Sequence, residues 1–210
     1  MSDNRTSEQF WENHYQNLTR EPTGKPSAIL VQYAADLTPG RSLDLGSSRG
    51  DDVMWLARQG WQSLGVDVSS TAIATAQRRA KEAGLAEAAR FERHDLAATF
   101  PEGAFDLLTA LFFQSPVDFP RAQVLARAAE AVASGGLLLI VEHASAAPWS
   151  WSPDAVFPTA EETLSSLQLD TKDWTQIFVG APERLAHGPD NQTATVRDNV
   201  LALRRGELAF

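Results

Sequence analysis

Short apolar runs alternate with amphipathic helical segments through the middle of the chain, and this alternation limits the fold more than any other feature. The run 137–143, LLLIVEH, is almost wholly apolar, which is typical of a strand buried on both faces. Strands that alternate with helices predict a parallel sheet covered on both sides. We expect strands at 42–45, 62–68, 89–94, 105–112 and 137–143, and helices at 51–59, 69–83 and 121–133.

The two ends of the chain differ from this centre. Helical spacing predicts two N-terminal helices, at 7–18 and 27–37. Near the other end, a helix at 159–167 precedes two extended runs, 173–179 and 193–203, which we expect to pair antiparallel because only a loop separates them. The sequence therefore predicts one α/β domain over 1–210, with a helical lid at 1–40 and a core at 41–210. The core is a doubly wound, mostly parallel, seven-stranded sheet with an antiparallel closing strand.

Composition excludes several classes of function. The 210 residues carry a formal net charge of −9, which disfavours binding to nucleic acid because the surface repels phosphates. Cysteine is absent, so disulfides, zinc–thiolate sites and cysteine nucleophiles are excluded. No signal-peptide h-region and no long apolar run is visible, which predicts a cytoplasmic protein that does not interact with membranes.

The stretch LDLGSSRGDD at 43–52 predicts a strand that turns on glycine into a helix. Gly46 and Gly50 let the backbone approach a ligand and adopt positive φ. The free N–H groups of the following helix favour an anionic group such as a carboxylate. Asp44, just before the turn, can accept hydrogen bonds from a ligand cation. In a doubly wound sheet, ligands bind at this end of the strands.

Two further acids follow at the ends of the next two strands. Asp67 is placed to accept both hydroxyls of a ribose. Asp95 can accept from the exocyclic amine of an adenine, with Val68 and Leu96 on the two faces of its ring, although a helix cap is the alternative role for Asp95. Three acids suit an adenosine that carries an amino acid better than a dinucleotide, whose pyrophosphate they would repel.

The segment from LDLGSSRGDD through GVDVSS, followed by HDL at 94–96, FDLLTALFF at 105–113 and ASGGLLLIVEHA at 133–144, resembles class I S-adenosylmethionine-dependent methyltransferases. FWENHYQN and the tryptophan-rich loop after VEH are similar to the small bacterial branch near tellurite-resistance and thiopurine methyltransferases. The resemblance implies a Rossmann-like fold and S-adenosylmethionine as cofactor. It implies cofactor contacts from Trp11, Tyr15, Asp44, Gly46, Ser47, Ser48, Gly50, Asp67, Val68, Asp95, Leu96 and Leu111. For Trp11 and Tyr15, simple packing of the first helix on the core is the alternative.

Ser48 departs from the family pattern, which has glycine at that position. If the turn requires positive φ there, the serine costs on the order of 1 kcal/mol of strain. We therefore expect weaker cofactor affinity or a shifted loop, with the fold retained.

The region expected to face the transferred methyl group is rich in aromatic residues. Phe112 and Phe113 follow the fourth strand, and Trp149 and Trp151 lie in the loop after the fifth, so all four are candidates to line a substrate pocket. The alternative is a core position for the two phenylalanines and packing on the sheet edge for the two tryptophans. His143 and Gln114 are the candidate catalytic residues, with His143 as a proton acceptor or a group that orients the substrate. Structural hydrogen bonding is the alternative role for His143.

These features predict methyl transfer to a small-molecule acceptor with an S, N, O or chalcogen nucleophile, by a monomer or homodimer. His14, His94 and His143 lack metal-ligand spacing, so no metal is expected. The alternative is a binding or regulatory protein that keeps this fold with weak or lost methyl transfer. An NAD(P) oxidoreductase is disfavoured because neither G-x-G-x-x-G nor Y-x-x-x-K is present.

Overall fold

A mixed β-sheet crosses the part of the chain that the computed structural model describes, residues 5–150 and 152–207. Its strands are β1 (Arg41–Leu45), β2 (Gln62–Asp67), β3 (Ala89–Arg93), β4 (Phe105–Leu111), β5 (Val132–His143), β6 (Trp174–Gly180), β7 (Glu183–His187) and β8 (Thr193–Arg205). The helices are α1 (Ser7–Gln16), α2 (Ala28–Ala34), α3 (Asp51–Arg58), α4 (Ser70–Glu82), α5 (Arg121–Glu130) and α6 (Ala160–Ser166).

The strand order is β3-β2-β1-β4-β5-β8-β6, with β7 paired to β8 outside this path. Strands β1 to β5 are parallel, whereas β8 runs antiparallel to β5, β6 and β7. The strand order reverses between β1 and β4, and at such a switch point the loops diverge and leave a crevice. These findings confirm the predicted α/β sheet with its antiparallel closing strand.

Successive residues of the central strands enter cores on opposite faces of the sheet, as the twofold period of a strand requires. On one face, Leu108 and Ile140 pack with α5 residues such as Leu125. On the other face, Leu107 and Leu139 pack with residues of α2 and α3. Both faces are therefore covered, which explains the nearly continuous apolar sequence of β5.

Two elements differ from the sequence-based expectation. β7 is absent from that expectation, because only Ala186 of its five residues is buried and the sequence shows no apolar alternation. β5 begins at Val132 and not at 137, since Val132 pairs with Phe105 before a register shift in the ladder. The helix α5 accordingly ends at Glu130, earlier than the predicted 133.

The two N-terminal helices have different environments. α1 buries none of its residues fully and lies against α4. In α2, by contrast, Leu30 and Ala34 are buried in the core. α2 therefore forms part of the cover of the sheet, and the role of residues 1–40 as a lid stays a prediction. No helix within the described ranges is long and apolar enough to cross a membrane.

Candidate active site

The turn between β1 and α3 has three residues with positive φ. These are Gly46 at 70°, Ser48 at 52° and Gly50 at 84°. A Cβ at Gly46 would lie 2.7 Å from the Phe113 ring, so this position has room for glycine alone. Ser48 therefore adopts the left-handed backbone conformation that the family pattern assigns to glycine, at the strain cost expected for a side chain there.

Asp67, the last residue of β2, supports this turn. Its carboxylate accepts hydrogen bonds from the N–H of Ser48 at 3.0 Å and of Ser69 at 2.9 Å. Burial raises the pKa of Asp67 to about 6, against the opposing effect of these backbone donors. The side chain lies beside the cavity in which a ribose would bind, and ionised oxygens there can accept from hydroxyl groups.

Asp44 lies on the other side of Gly46 and is buried. The hydroxyl of Thr109 on β4 donates to Asp44 Oδ1 at 2.6 Å. Burial, followed by the neighbouring Asp52, raises the pKa of Asp44 well above its usual value. A cation placed at this site would be favoured, because it would relieve the repulsion between the two acids.

Asp52 is a site residue that the sequence reasoning missed, since an acid in the first turn of a helix is common. Its Oδ1 accepts from the N–H of Ser27, just before α2, at 2.6 Å. Burial, and then the charge of Asp51, raises the pKa of Asp52 to about 6. The two consecutive aspartates after Gly50 are the sequence feature that could have indicated this role. The contact between Asp52 and Ser27 is visible only in the fold.

Two adjoining cavities meet at Gly46. The first, of about 90 Å³, is lined by the residues predicted for the adenosine, including Trp11, Tyr15, Gly46, Asp67, Val68, Asp95 and Leu96. The second, of about 450 Å³, is lined by Asp44, Gly46, Ser47, Ser48, Asp52, Leu111 and Lys25 among others. Gly50 does not line either cavity and is the N-cap of α3. Asp95 also accepts from the N–H of Ala97 at 3.1 Å within a turn, and because no helix follows it there, the helix cap that was its alternative role is wrong.

The α1 helix covers the first cavity and is fixed by Glu12. The Glu12 carboxylate accepts from the Ser69 hydroxyl at 2.7 Å, the Thr71 hydroxyl at 2.6 Å and the Thr71 N–H at 3.2 Å. Burial opposes ionisation, but these donors outweigh it and lower the pKa of Glu12 to about 2. Tyr15 is hydrogen-bonded to Ser48, and burial together with Asp67 raises its pKa. No local pattern in the sequence points to Glu12, because its partners lie far along the chain.

A third cavity, of about 830 Å³, opens beside the first and is lined by residues from the ends of β4 and β5, the loop after β5, and β7. Phe112 and Trp149 line it, whereas Phe113 lines the first cavity, and Trp151 lies outside the described residues. The Trp149 ring packs so closely on Gly188 that a Cβ there would lie 2.4 Å from it. Trp149 is thereby held in the wall of the cavity.

Phe112 lines all three cavities. It is the residue after β4, with φ at 54°, and its N–H donates to the carbonyl of Val141 at 2.6 Å. A positive φ is uncommon for an aromatic residue and is found where the surrounding structure enforces it, frequently at functional sites. The backbone therefore places this ring at the junction of the cavities.

Gln114 and His143 lie side by side. The Gln114 amide donates to the carbonyl of His143 at 3.3 Å and accepts from its N–H at 2.7 Å. These bonds favour a role for Gln114 in fixing the end of β5, and its predicted catalytic role stays a prediction. The His143 ring lies 4.6 Å from that of Phe112, between ring centroids, and Nδ1 lies 3.4 Å from Asp198 Oδ1.

A buried ion pair joins the ends of β4 and β5. Glu142 is fully buried and binds Arg121, whose Nε donates to the carbonyl of Phe113 at 2.9 Å. Thr163 and Asn199 also donate to Glu142, at 2.5 and 3.1 Å. This network fixes the backbone next to Phe112 and His143, and the sequence analysis assigned it no role.

The residues present fit S-adenosylmethionine. The close approach of Phe113 to Gly46 fixes the open main-chain turn, and buried acids lie on both sides of it. The hydroxyl of Ser47 is buried, has no hydrogen-bond partner in the structure and lines the second cavity. Among the described residues, no group of three or more His, Cys, Asp or Glu could hold a metal.

The chain is similar to known methyltransferases over part of its length. Residues 43–136 match the protein family described as a methyltransferase domain. A demethylmenaquinone methyltransferase of Thermus thermophilus is 35% identical over 115 residues, covering 53% of this chain and 51% of that protein. The chain thus spans about half the length of this curated relative.

Two solved structures are similar. TehB from Haemophilus influenzae has a TM-score of 0.68 at 18% identity, covering 95% of this chain and 67% of that chain, which shows a shared fold. A methyltransferase from Thiobacillus denitrificans in complex with S-adenosyl-L-homocysteine has a TM-score of 0.51 at 27% identity, covering 68% and 56%. The comparisons therefore show a likeness to methyltransferase domains over residues 43–136, and the solved structures show a shared fold.

Proposed function

We propose that this protein transfers a methyl group from S-adenosylmethionine to a small-molecule acceptor. The observation that carries the proposal is the position of Phe112, which lines the two cavities around the glycine turn and also the larger third cavity. The first and third cavities also share Trp11, Gln114, Ser115 and Phe119, so ligands bound in the two would be neighbours. Such proximity is what a direct displacement needs.

The third cavity fits an apolar acceptor that contains a ring. Its volume of about 830 Å³ is in the range of small-molecule sites, and Phe112, Trp149 and Phe157 line it. The Thermus relative is named for demethylmenaquinone, which supports a ring acceptor at a homologous position. The net charge of −9 disfavours a nucleic-acid acceptor.

In the proposed reaction the cofactor supplies an activated methyl group, and the protein supplies position and surroundings. Asp44 and Asp52 bind the cationic end of the methionine part, and Asp67 accepts from the ribose. Trp11 and Tyr15 of α1, with Val68 and Leu96, exclude water from the adenine. Phe112 provides an apolar surface where positive charge disperses during transfer. His143 is the proton acceptor for acceptors that must lose a proton.

We also infer a place near the tellurite-resistance and thiopurine branch of the family, a cytoplasmic location, no interaction with membranes, and a monomer or homodimer. The fold shared with TehB fits the first of these inferences. The single domain over 1–210 with α1 as its lid remains part of the same proposal.

Calorimetric titration with S-adenosylhomocysteine tests the cofactor step. We expect saturable binding in the micromolar range by the unaltered protein, a loss of about tenfold or more in Asp67→Ala, and no change in Asp36→Asn, whose carboxylate is exposed and distant from the turn. Incubation with labelled S-adenosylmethionine and a panel of phenols, thiols and amines then tests transfer. Absence of binding at millimolar ligand overturns the proposal, and binding without transfer to any acceptor favours the binding-protein alternative.

A further inference from the structure

We propose that Asp198 is a positioning residue that holds the His143 imidazole as a proton acceptor, and that the methyl acceptor is an apolar ring compound with an O–H or S–H proton to lose. The inference rests on the proposed function and specifies its substrate class. It comes from the pairing of two strands, one of which carries the predicted base and the other a carboxylate that the sequence analysis did not single out.

His143 and Asp198 are directly opposite each other in the antiparallel ladder of β5 and β8. Opposed residues of such a ladder project their side chains to the same face, which is why the two groups meet. His143 Nδ1 lies 3.4 Å from Asp198 Oδ1. This distance is at the long end for a hydrogen bond.

Arg184 on β7 fixes the other side of the carboxylate. Its Nε donates to Asp198 Oδ2, and a second guanidinium nitrogen lies 3.4 Å from Oδ1. The Asp198 side chain is only 8% exposed. Burial alone would favour the protonated form, but the bonds from His143 and Arg184 outweigh it and lower the pKa of Asp198. The carboxylate is therefore ionised at neutral pH and can accept from the imidazole.

The ionised carboxylate of Asp198 accepts a hydrogen bond from Nδ1 and thereby determines the tautomer of His143. The proton of the neutral ring is held at Nδ1, so the lone pair is at Nε2 on the opposite edge of the ring. His143 is one of the residues that line the third cavity, and 45% of its side chain is exposed. A group in that cavity can thus give its proton to Nε2.

Aromatic contacts fix the plane of the ring. Phe112 lies 4.6 Å from it with an interplanar angle of 35°, and Phe157 lies 6.1 Å away on the loop after β5. Phe112 also lines the first and second cavities, so its ring lies between His143 and the proposed cofactor site. The other ionisable side chains lining the third cavity are Asp118, Arg121, Arg184 and His187. Arg121 is paired with Glu142 and Arg184 with Asp198, and His143 is distinguished from His187 and Asp118 by the contact of its ring with Phe112.

The proton balance identifies the acceptor class. The acceptor's O–H or S–H proton goes to His143 Nε2, and its electron pair forms the bond to the methyl carbon. The bond from that carbon to sulfur breaks, and its electron pair stays on sulfur. The imidazolium then returns its proton to solvent through its exposed edge. A tertiary amine or thioether has no proton to lose. A base that Asp198 holds in position would therefore give no advantage with such acceptors.

Imidazole ¹⁵N chemical shifts, measured by NMR with S-adenosylhomocysteine bound, test the positioning role without turnover, because they report which ring nitrogen carries the proton. The His143 resonance is assigned by its loss in His143→Gln. We expect the proton at Nδ1 in the unaltered protein and a shift toward the Nε2–H tautomer in Asp198→Asn, because that variant removes the ionised acceptor beside Nδ1. The matched control is Glu183→Gln, which breaks an exposed ion pair with Arg197 and should leave the tautomer unchanged. The same tautomer of His143 in Asp198→Asn and in the unaltered protein overturns the proposal.

Methyl transfer tests the acceptor class. With a phenol or thiol, we expect Asp198→Asn to reduce kcat at neutral pH by about tenfold and His143→Gln by about a hundredfold, with Glu183→Gln at the unaltered rate. Equal rates in His143→Gln and the unaltered protein, or transfer only to acceptors without a dissociable proton, overturn the inference. Failure to bind S-adenosylhomocysteine is a separate result, because it overturns the proposed function itself.

Discussion

Glu12 in α1 receives two hydrogen bonds from Thr71 at the start of α4, one from the hydroxyl at 2.6 Å and one from the N–H at 3.2 Å. A carboxylate at the first turn of a helix satisfies N–H groups that otherwise lack a partner, and it interacts favourably with the helix dipole. Since Trp11 and Tyr15 flank Glu12 and line the first cavity, this contact determines whether the cavity is covered.

Replacement of Glu12 by glutamine should weaken cofactor binding. The amide retains an acceptor oxygen but loses the charge that strengthens the bonds from Ser69 and Thr71, a loss of about 1 kcal/mol or a factor of about five in affinity. Calorimetry with S-adenosylhomocysteine gives the affinity, and hydrogen exchange of residues 7–16 shows whether α1 opens. The fold should be unaffected, because α1 buries none of its residues fully.

The control for this variant is Glu8→Gln, which removes the same charge from the same helix. Glu8 pairs with Arg93 in an exposed ion pair, and such pairs contribute about 0–1 kcal/mol. Its effect on affinity should be within about twofold. Equal losses in the two variants would mean that helix charge, and not the contact with Thr71, is responsible.

Gly46→Ala should destabilise the fold and abolish cofactor binding. The new Cβ would meet the Phe113 ring at 2.7 Å, at a residue whose φ is 70°. Overpacking and backbone strain together should lower the free energy of unfolding by about 2–4 kcal/mol, measured by urea denaturation.

Gly84→Ala provides a matched control for this variant. Gly84 has the same φ of 70°, but nothing lies within 4 Å of the position that the new methyl group would occupy. Only the strain of about 1 kcal/mol should therefore appear, with no change in cofactor binding. If the two alanines cost the same, the contact between Phe113 and the glycine turn is not the reason for glycine at 46.

The sequence predicts the site best where its residues are close along the chain. Asp44, Gly46 and Gly50 belong to one strand, turn and helix, and a second acid ends the next strand, so their pattern is visible without a structure. Even the unusual Ser48 is readable, because the turn geometry assigns a positive φ to it. In this turn, residues that are neighbours in the sequence are also neighbours in space, so the sequence pattern is enough to predict the site.

Contacts between distant segments could not be predicted in the same way. Glu12 meets Thr71 across 59 positions, and His143 meets Asp198 across 55, through a strand register that no short pattern specifies. The partner of Asp198 lies on β7, which shows no apolar alternation. The predicted residues therefore include His143 but not Asp198, which pairs with it, or Arg184, which binds Asp198.

The pH dependence of stability should reflect Asp52. Its pKa is raised from 3.8 to about 6, so the folded protein binds this proton more tightly than the unfolded chain. The free energy of unfolding should therefore fall as pH rises from about 4 through about 6. Asp52→Asn should remove on the order of 1 kcal/mol of this fall, leaving the part due to Asp44 and Asp67, whose pKa values burial also raises, as measured by urea denaturation at several pH values. Asp36→Asn, at an exposed carboxylate, should leave the profile unchanged.

Glu142→Gln should be the most destabilising of the single-charge changes. Glu142 is fully buried, whereas the side chain of its partner Arg121 is 19% exposed, so the variant leaves a cation with little water and no counter-charge. Removal of one partner of a buried pair costs about 3–5 kcal/mol. The matched control is Glu82→Gln, which breaks a pair with Arg78 whose side chains are about 60% exposed, and it should change the free energy of unfolding by less than about 0.5 kcal/mol.

Because Arg121 also binds the carbonyl of Phe113, Glu142→Gln should loosen the end of β4 as well, and hydrogen exchange at residues 111–114 should rise together with the fall in stability. A variant as stable as the control would show that Arg121 finds solvent when its carboxylate is removed, and that the ion pair does not fix the wall between the cofactor and acceptor cavities.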